Sequence, residues 1–418
     1  MQLMMRGLLE ARAGQRSLAA VLRMVSRWLP GGAATPCANT ARMWLLRRGL
    51  YELVRPRRKA DDWVWILDHT VQLGPHKALA IVGVRLGRWK RRPLRHDDVT
   101  VLDITPMLHS TGEAVESRLA ATAEKTGVPR AIVCDGGTDL RRGIANFQKT
   151  RPGIACLYDV KHKMALLLQR ELEKDARWAK FIGQVNQTRS RLTLTNLACL
   201  IPPNLKAKAR YMNLEPLTRW GRSALAFLDE ARDIPGQAVD RSAVEEKLGW
   251  LRDYREALYH WSVLLAIAET VERYVRREGY HATAAESLRG RLAGLVIDAS
   301  AQKMTEDALR FVAEQSSQSR RGERLIGSSE VLESLFGKYK HLQGIHRQGG
   351  MTPQLLALGA AVGRQTVGAV RRAFATIRTR DVVQWCRQHL GLSLQAQRKY
   401  AFKEQNRDEI RLTLLPSF

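Results

Sequence analysis

The alternation of apolar and polar positions divides the chain into zones. Near the amino end Leu18, Val21, Leu22, Val25 and Leu29 recur at helical spacing, and Pro30-Gly31-Gly32 stops that helix. A second helix is expected from about Thr40, carrying Met43, Trp44, Leu45, Leu46 and Leu50. From residue 61 the period changes. Trp63-Val64-Trp65-Ile66-Leu67-Asp68 is a continuous apolar run, rich in aromatic and β-branched residues, which suits a strand buried on both faces. Lys77 to Leu86 and Val99 to Ile104 read as the next two strands, Thr111 to Thr126 as a helix, Ala131 to Asp135 as a fourth strand and Ile154 to Tyr158 as a fifth.

Three strands in succession, followed by helix–strand alternation, is the order of a ribonuclease-H-like α/β core. A doubly wound sheet would not give it. Beyond this core, long helical patterns dominate: Lys161 to Phe181, Arg222 to Ala231, Ala243 to Glu278 and Ala284 to Glu314, with one doubtful strand pattern at Leu192 to Leu200. A polar break, Gln315 to Gly322, precedes a short helix from Ser328 to Leu342. The expected fold is therefore a mixed five-stranded sheet interrupted by an all-α insertion, with helical amino- and carboxy-terminal regions. The divisions read as 1–60, a helix-turn-helix-like region; 61–163, the first part of the core; 164–327, the insertion; 328–345, the second part of the core; and 346–418, a basic helical tail.

Charge changes the picture from fold to partner. Lys and Arg number 68 against 41 Asp and Glu, a net charge of +27 over 418 residues. An excess of that size points to a polyanion, and the phosphate backbone of DNA is the commonest one. Residues 1–60 hold twelve Lys/Arg against two acids, Glu10 and Glu52. Arg42, Arg47 and Arg48 on the second helix, with Arg57 and Arg58 in the link that follows, are the candidate DNA contacts; the rival reading is a helical hairpin that merely packs on the core. No apolar run approaches the roughly 18–20 residues that span a bilayer, and Arg6, Glu10, Arg12 and Arg16 interrupt any secretory segment, so a cytoplasmic protein, nucleoid-associated if prokaryotic, with no membrane partner is expected. The five cysteines are scattered, without a CxxC pair, which fits a reducing compartment and argues against structural zinc.

The acids carry the candidate chemistry. Asp68 is expected to end the first strand and Asp135 the fourth. Carboxylates there are poor packing choices, because an unpaired buried charge is costly. Two that converge would bind a divalent cation, Mg²⁺ or Mn²⁺, and two such ions suit phosphoryl transfer. For Asp135 alone, the alternative is a helix cap for the segment starting near Thr138. A third carboxylate has several candidates. Glu171 lies 36 positions after Asp135 but reads as a solvated face with local ion pairs, in Arg170-Glu171-Leu172-Glu173-Lys174. Glu333 flanks an apolar stripe of Leu332, Leu335, Phe336 and Tyr339, with Lys340 on the same flank, whereas Glu330 points away.

Strand-Asp, meander, strand-Asp, helical insertion and a late helical Glu together resemble the DDE transposase superfamily, in particular the hAT-like cut-and-paste enzymes, over about residues 61–341. Glu333-x-x-Phe336 is similar to the Glu-Arg-x-Phe-Ser motif of that group, and Glu333 with Lys340, six residues intervening, resembles the Glu-x6-Lys of other cut-and-paste enzymes; the Arg expected four residues before Glu333 is Ser329. Asp159 and His162, after the fifth strand, stand where hAT-like enzymes carry Cys-x-x-His. The resemblance implies catalytic Asp68, Asp135 and Glu333 holding two Mg²⁺ or Mn²⁺ ions. It also implies that Asp159, His162 and Lys340 position DNA, and that an inserted Trp stacks on a flipped base, with Trp220, beside Arg210, Arg219 and Arg222, the favoured candidate. Transposon-end and target double-stranded DNA, and a homodimer or larger assembly, are the implied partners. The alternatives are a transposase-derived DNA-binding protein without catalysis and a structure-specific nuclease.

Overall fold

A computed structural model describes residues 1–28, 34–204, 211, 214–230, 240–344, 351–392, 394 and 396–402. It divides into two compact units, residues 1–157 with 329–418, and residues 158–328. The first unit is built on a five-stranded mixed sheet in the order β3-β2-β1-β4-β5. β1 (Trp63–Leu73), β2 (His76–Arg85) and β3 (Thr100–Met107) form an antiparallel meander, and β1 pairs in parallel with β4 (Ala131–Cys134), next to β5 (Ala155–Tyr158). This is the ribonuclease-H-like core that the strand order anticipates.

The apolar run in β1 is continuous because both of its faces are covered. Alternate residues project to opposite sides of a strand. Trp63, Trp65 and Leu67 join Leu79, Ile81, Ile132 and Cys134 in one core with Val115 and Leu119 of α4 (Gly112–Thr126) and Leu140, Ile144 and Phe147 of α5 (Thr138–Lys149). Val64, Ile66, Ala80, Val82 and Val133 are also buried but lie outside that cluster. On the sheet's other contacts, α13 (Glu330–Gln343) packs against β1, while α3 (Ala38–Val54) and α14 (Ala357–Ala360) pack against β3.

α3 is the hub of the remaining helices, with α1 (Gln2–Leu9), α2 (Gln15–Ser26), α15 (Val367–Thr376) and α16 (Thr379–His389) all packed on it. It is therefore a core helix, packed on β3 as well as on these four helices. The Pro30-Gly31-Gly32 turn lies outside the described residues. The expected stripe on α2 does not form a core: Ala19 is its one buried residue, and Val21, Met24, Val25 and Trp28 are exposed.

The second unit is helical among the described residues, apart from an isolated bridge between Tyr280 and Leu325. Its helices are α6 (Val160–Lys174), α7 (Ala176–Leu192), α8 (Glu215–Asp229), α9 (Arg241–Leu248), α10 (Arg255–Glu278), α11 (Ala284–Leu292) and α12 (Ala299–Ser316). Trp178, Phe181, Trp250, Tyr254 and Trp261 form a ring-on-ring core. The expected single helix from Lys161 to Phe181 breaks at Asp175, whose carboxylate accepts from Arg177 N at 3.0 Å and from Trp261 Nε1 at 3.1 Å. The doubtful strand at Leu192 to Leu200 is a turn followed by a short 3-10 segment, Ala198–Leu200; Leu194 projects into solvent, 98% exposed, so the period-2 pattern buries no face there.

Gly49 marks a close helix approach in the first unit. A Cβ at Gly49 would lie 1.7 Å from the Leu356 carbonyl oxygen, and one at Gly359 would lie 2.6 Å from the Gly49 oxygen. Alanine is intrinsically favoured over glycine in a helix by about 1 kcal/mol, but a clash with rigid backbone outweighs that. Gly49→Ala is expected to destabilise the fold by about 1–3 kcal/mol, read as a lower urea midpoint.

Candidate active site

β1 does not end at Asp68; it continues to Leu73, with Asp68 opposite Ala80 of β2. What ends there is the parallel partner. The β1–β4 register runs Val64–Ala131, Trp65–Ile132, Ile66–Val133. Continued by two residues, it sets Asp68 beside Asp135, on the sheet face opposite Trp65 and Leu67. Both residues are half-buried. His69 N donates to Asp68 Oδ1 at 2.6 Å, and Gly137 N donates to Asp135 Oδ1 at 3.0 Å. Gly136 has φ of 83°, and Gly137 caps α5 without a side-chain bond, so Asp135 is not the cap of that helix. The Asp135 bond instead closes a local turn that aims the carboxylate off the strand end.

His69 follows Asp68 directly on β1. The structure turns its ring to the opposite face from Asp68, as strand alternation requires. Its Nε2 lies 2.9 Å from Ser110 Oγ and 3.6 Å from Asp139 Oδ2, while Lys77 Nζ lies 3.4 Å from the same Asp139 oxygen. Burial pushes the His69 imidazole below its usual pKa, partly opposed by Asp139. Asp139 belongs to the first turn of α5, four residues after Asp135. The cluster thus ties the strand that carries Asp68 to the helix that follows Asp135. Period-2 alternation was the available signal for the direction of His69; its partners are brought in from β2, the β3–α4 turn and α5, which no local pattern reveals.

α13 has the expected stripe, with Leu332, Leu335, Phe336 and Tyr339 buried. Glu330 and Glu333 both lie in its first turn, half-buried, where the helix dipole favours negative charge. Lys340 is exposed. Lys338, on the same helix, donates to Ala361 O at 3.1 Å, and burial lowers its pKa.

The remaining acids and the tryptophan belong to the second unit. Glu171 is buried, not solvated, and is held by Arg170 at 3.0 Å, Lys174 at 3.0 Å and Ser300 Oγ at 3.2 Å. Burial opposes its ionisation, but those partners hold its carboxyl below the ordinary range. Asp159 is fully buried and caps α6 by accepting from His162 N at 2.8 Å, and the His162 ring meets Tyr158 edge-on. Trp220 is half-buried and donates from Nε1 to Leu200 O at 2.9 Å. Arg219 pairs with Glu215, Arg222 is exposed, and Arg210 lies outside the described residues.

Three of the five candidate DNA-contacting arginines are drawn into the fold. Arg47 donates to Phe374 O at 2.9 Å and to Ile377 O at 2.7 Å. Arg48 is buried between Glu52 and Gln365. Arg57 donates to Val101 O at 3.0 Å and to Glu52; burial, reinforced by Arg55, lowers its pKa to about 10. Burial without a partner would be prohibitive for these groups, so their engagement is structural. Arg42 and Arg58 are exposed.

Among the described residues, no group of three or more His, Cys, Asp or Glu is gathered closely enough to hold a metal ion. The Asp68–Asp135 pair fits a divalent ion by register and by its hard oxygen donors; Glu333 is not assembled with it into a ready three-carboxylate site. Among the described residues no helix is long and apolar enough to cross a membrane.

No protein-family model matches the chain, and neither does any curated protein. Among solved structures, the chain is similar to the Drosophila P element transposase strand transfer complex, with 11% identity and a TM-score of 0.43 over 85% of this chain and 90% of that one. At that level the two share a general outline and no more.

Glu52 gathers Arg48, Arg55 and Arg57. Burial opposes its ionisation, but the three guanidinium groups hold its carboxyl below the ordinary range. A depressed folded-state pKa contributes stability above the unfolded value, and that contribution is lost as pH falls through the folded one. Glu52→Gln is expected to destabilise the protein by about 3–5 kcal/mol at pH 7, because three cations lose their common partner. Chemical denaturation at pH 7 and pH 3 should show the gap between wild type and variant narrowing in acid.

Proposed function

We propose that this chain is a DNA transposase of the DDE type, a divalent-metal-dependent polynucleotidyl transferase. The observation that carries the proposal is the β1–β4 register on a ribonuclease-H-like sheet, which, continued two residues past Ile66–Val133, would bring Asp68 beside Asp135. Glu333 would join them from the first turn of α13, a helix that packs on β1. Asp68 and Asp135 would hold Mg²⁺ or Mn²⁺, with Glu333 completing the site for the second of two ions. Bound there, the ions would activate an attacking water or 3′-hydroxyl and stabilise the leaving oxygen. The protein's own part is orientation. His69 N and Gly137 N each fix one oxygen of an aspartate, and the His69–Asp139 contact keeps the two carboxylate-bearing segments in register. Lys340 would meet a phosphate, and double-stranded transposon-end and target DNA are the substrates. Pairing two ends calls for a dimer or larger assembly.

A second reading, a transposase-derived DNA-binding protein without catalysis, is favoured by one observation: Glu333 is not gathered with the aspartate pair. Cleavage separates the two. Purified protein with Mg²⁺ should nick end-containing DNA and join a supplied 3′-hydroxyl end to a target, and joining also separates a transposase from a structure-specific nuclease. Asp135→Asn should lower nicking by about 10²–10³-fold, and Glu333→Gln should do the same while Glu171→Gln leaves the rate near wild type. Full activity in Asp135→Asn contradicts the assignment.

A further inference from the structure

The first unit loses most of its expected amino-terminal DNA contacts to the core, and it displays another basic surface that the sequence left without a role. From residue 364 to residue 402 the chain carries eight Lys/Arg against one acid, Asp381. Four of the eight, Arg371, Arg372, Arg380 and Arg387, sit on α15 and α16, two helices joined by Ile377 and Arg378. Their inner faces bury Val370, Ala373, Ile377, Val382 and Trp385. Their connection is pinned by Arg47 of α3, which satisfies two carbonyls at the end of α15 and stacks over the Phe374 ring, 4.7 Å from its centroid. Arg378 N donates to Asp381 Oδ2 at 2.7 Å, which fixes the start of α16. The two helices thus form a helix–turn–helix whose connection is held by the residue that looked like a DNA contact.

We propose that α15 and α16 form the surface on which this chain docks duplex DNA. Arg371, Arg372, Arg380 and Arg387 are exposed, and Arg371, Arg372 and Arg387 make no ion pair among the described residues. Arg380 approaches only Asp381, at 3.7 Å. On α16, Arg380, Gln384 and Arg387 fall three to four residues apart, on one exposed face with Gln388. Guanidinium and amide side chains are the groups that match base edges in the major groove, and the second helix of such a pair is the one that enters it. Arg42 of α3 extends the surface, across an apolar cavity of about 540 Å³ from Arg387. Neither helix exposes a Phe, Tyr or Trp side chain, and the exposed His389 ring at the end of α16 lies 5.0 Å from the Trp385 ring, so the surface lacks the row of stacking platforms that single-stranded nucleic acid needs. The proposal rests on the transposase reading only for the choice of DNA as polyanion.

The test is binding of full-length protein to a 30-base-pair duplex by fluorescence anisotropy across a salt series, without divalent ion, so the result stands apart from any failure of cleavage. The triple variant Arg371→Ala, Arg380→Ala, Arg387→Ala should weaken binding by about a hundredfold near 0.1 M salt and flatten the slope of log affinity against log salt by about 2 to 3. The matching Lys triple should restore both. The equal-charge control Arg16→Ala, Arg23→Ala, Arg27→Ala, three exposed arginines of α2 and its C-cap, should change binding by less than about threefold. An α2 effect equal to or larger than the α15–α16 effect overturns the proposal, as does an unchanged slope in the α15–α16 triple. A preference for single-stranded RNA of the same length over the duplex also overturns it.

Discussion

Strand β1 is covered on both faces and hydrogen-bonded on both edges, antiparallel to β2 and parallel to β4. A strand so enclosed cannot slip by one residue without exchanging its two buried faces, Trp63, Trp65 and Leu67 for Val64 and Ile66. Its register is therefore among the most strongly specified features of the fold. Continued two residues past Ile66–Val133, that register brings Asp68 level with Asp135, just where β1 outlasts its parallel partner. The pairing of two carboxylates on one face is a by-product of apolar packing below them.

The same packing settles what the basic residues do. With 68 Lys and Arg in the chain, some must serve the fold. α3 shows how: Arg47 satisfies carbonyls at the end of α15, and Arg48 joins Arg55 and Arg57 around the buried Glu52. A buried ion group of this kind adds little net stability against an apolar substitute, yet loss of one partner is severe. It fixes the position of α3, and with α3 the helices packed on it.

The five strands were legible because each apolar run is short, β-branched or aromatic, and bounded by turns. The stripe on α13 was legible because period 3.6 survives in Leu332, Leu335, Phe336 and Tyr339. Asp68 and Asp135 stood out as charges on strands that had no packing use for them. Other features were hidden for physical reasons. Charge does not report exposure, so Arg47, Arg48 and Arg57 looked like DNA contacts, and Glu171 looked solvated when it is buried among local partners. The alternation at Leu192 to Leu200 imitates a strand but has no neighbouring edge to pair with. The break at Asp175 depends on Trp261, far along the chain. The His69, Ser110, Asp139 and Lys77 cluster is assembled from four separate segments, and only the tertiary fold brings them together.

The central claim is that Asp68 and Asp135 form one cation site. Mn²⁺ titration of the full-length protein, followed by electron paramagnetic resonance, tests it most directly. Wild type should take up the ion, and Asp68→Asn and Asp135→Asn should each abolish the tightest binding while leaving the thermal midpoint unchanged or raised. Unaltered Mn²⁺ uptake by the double variant would contradict the account.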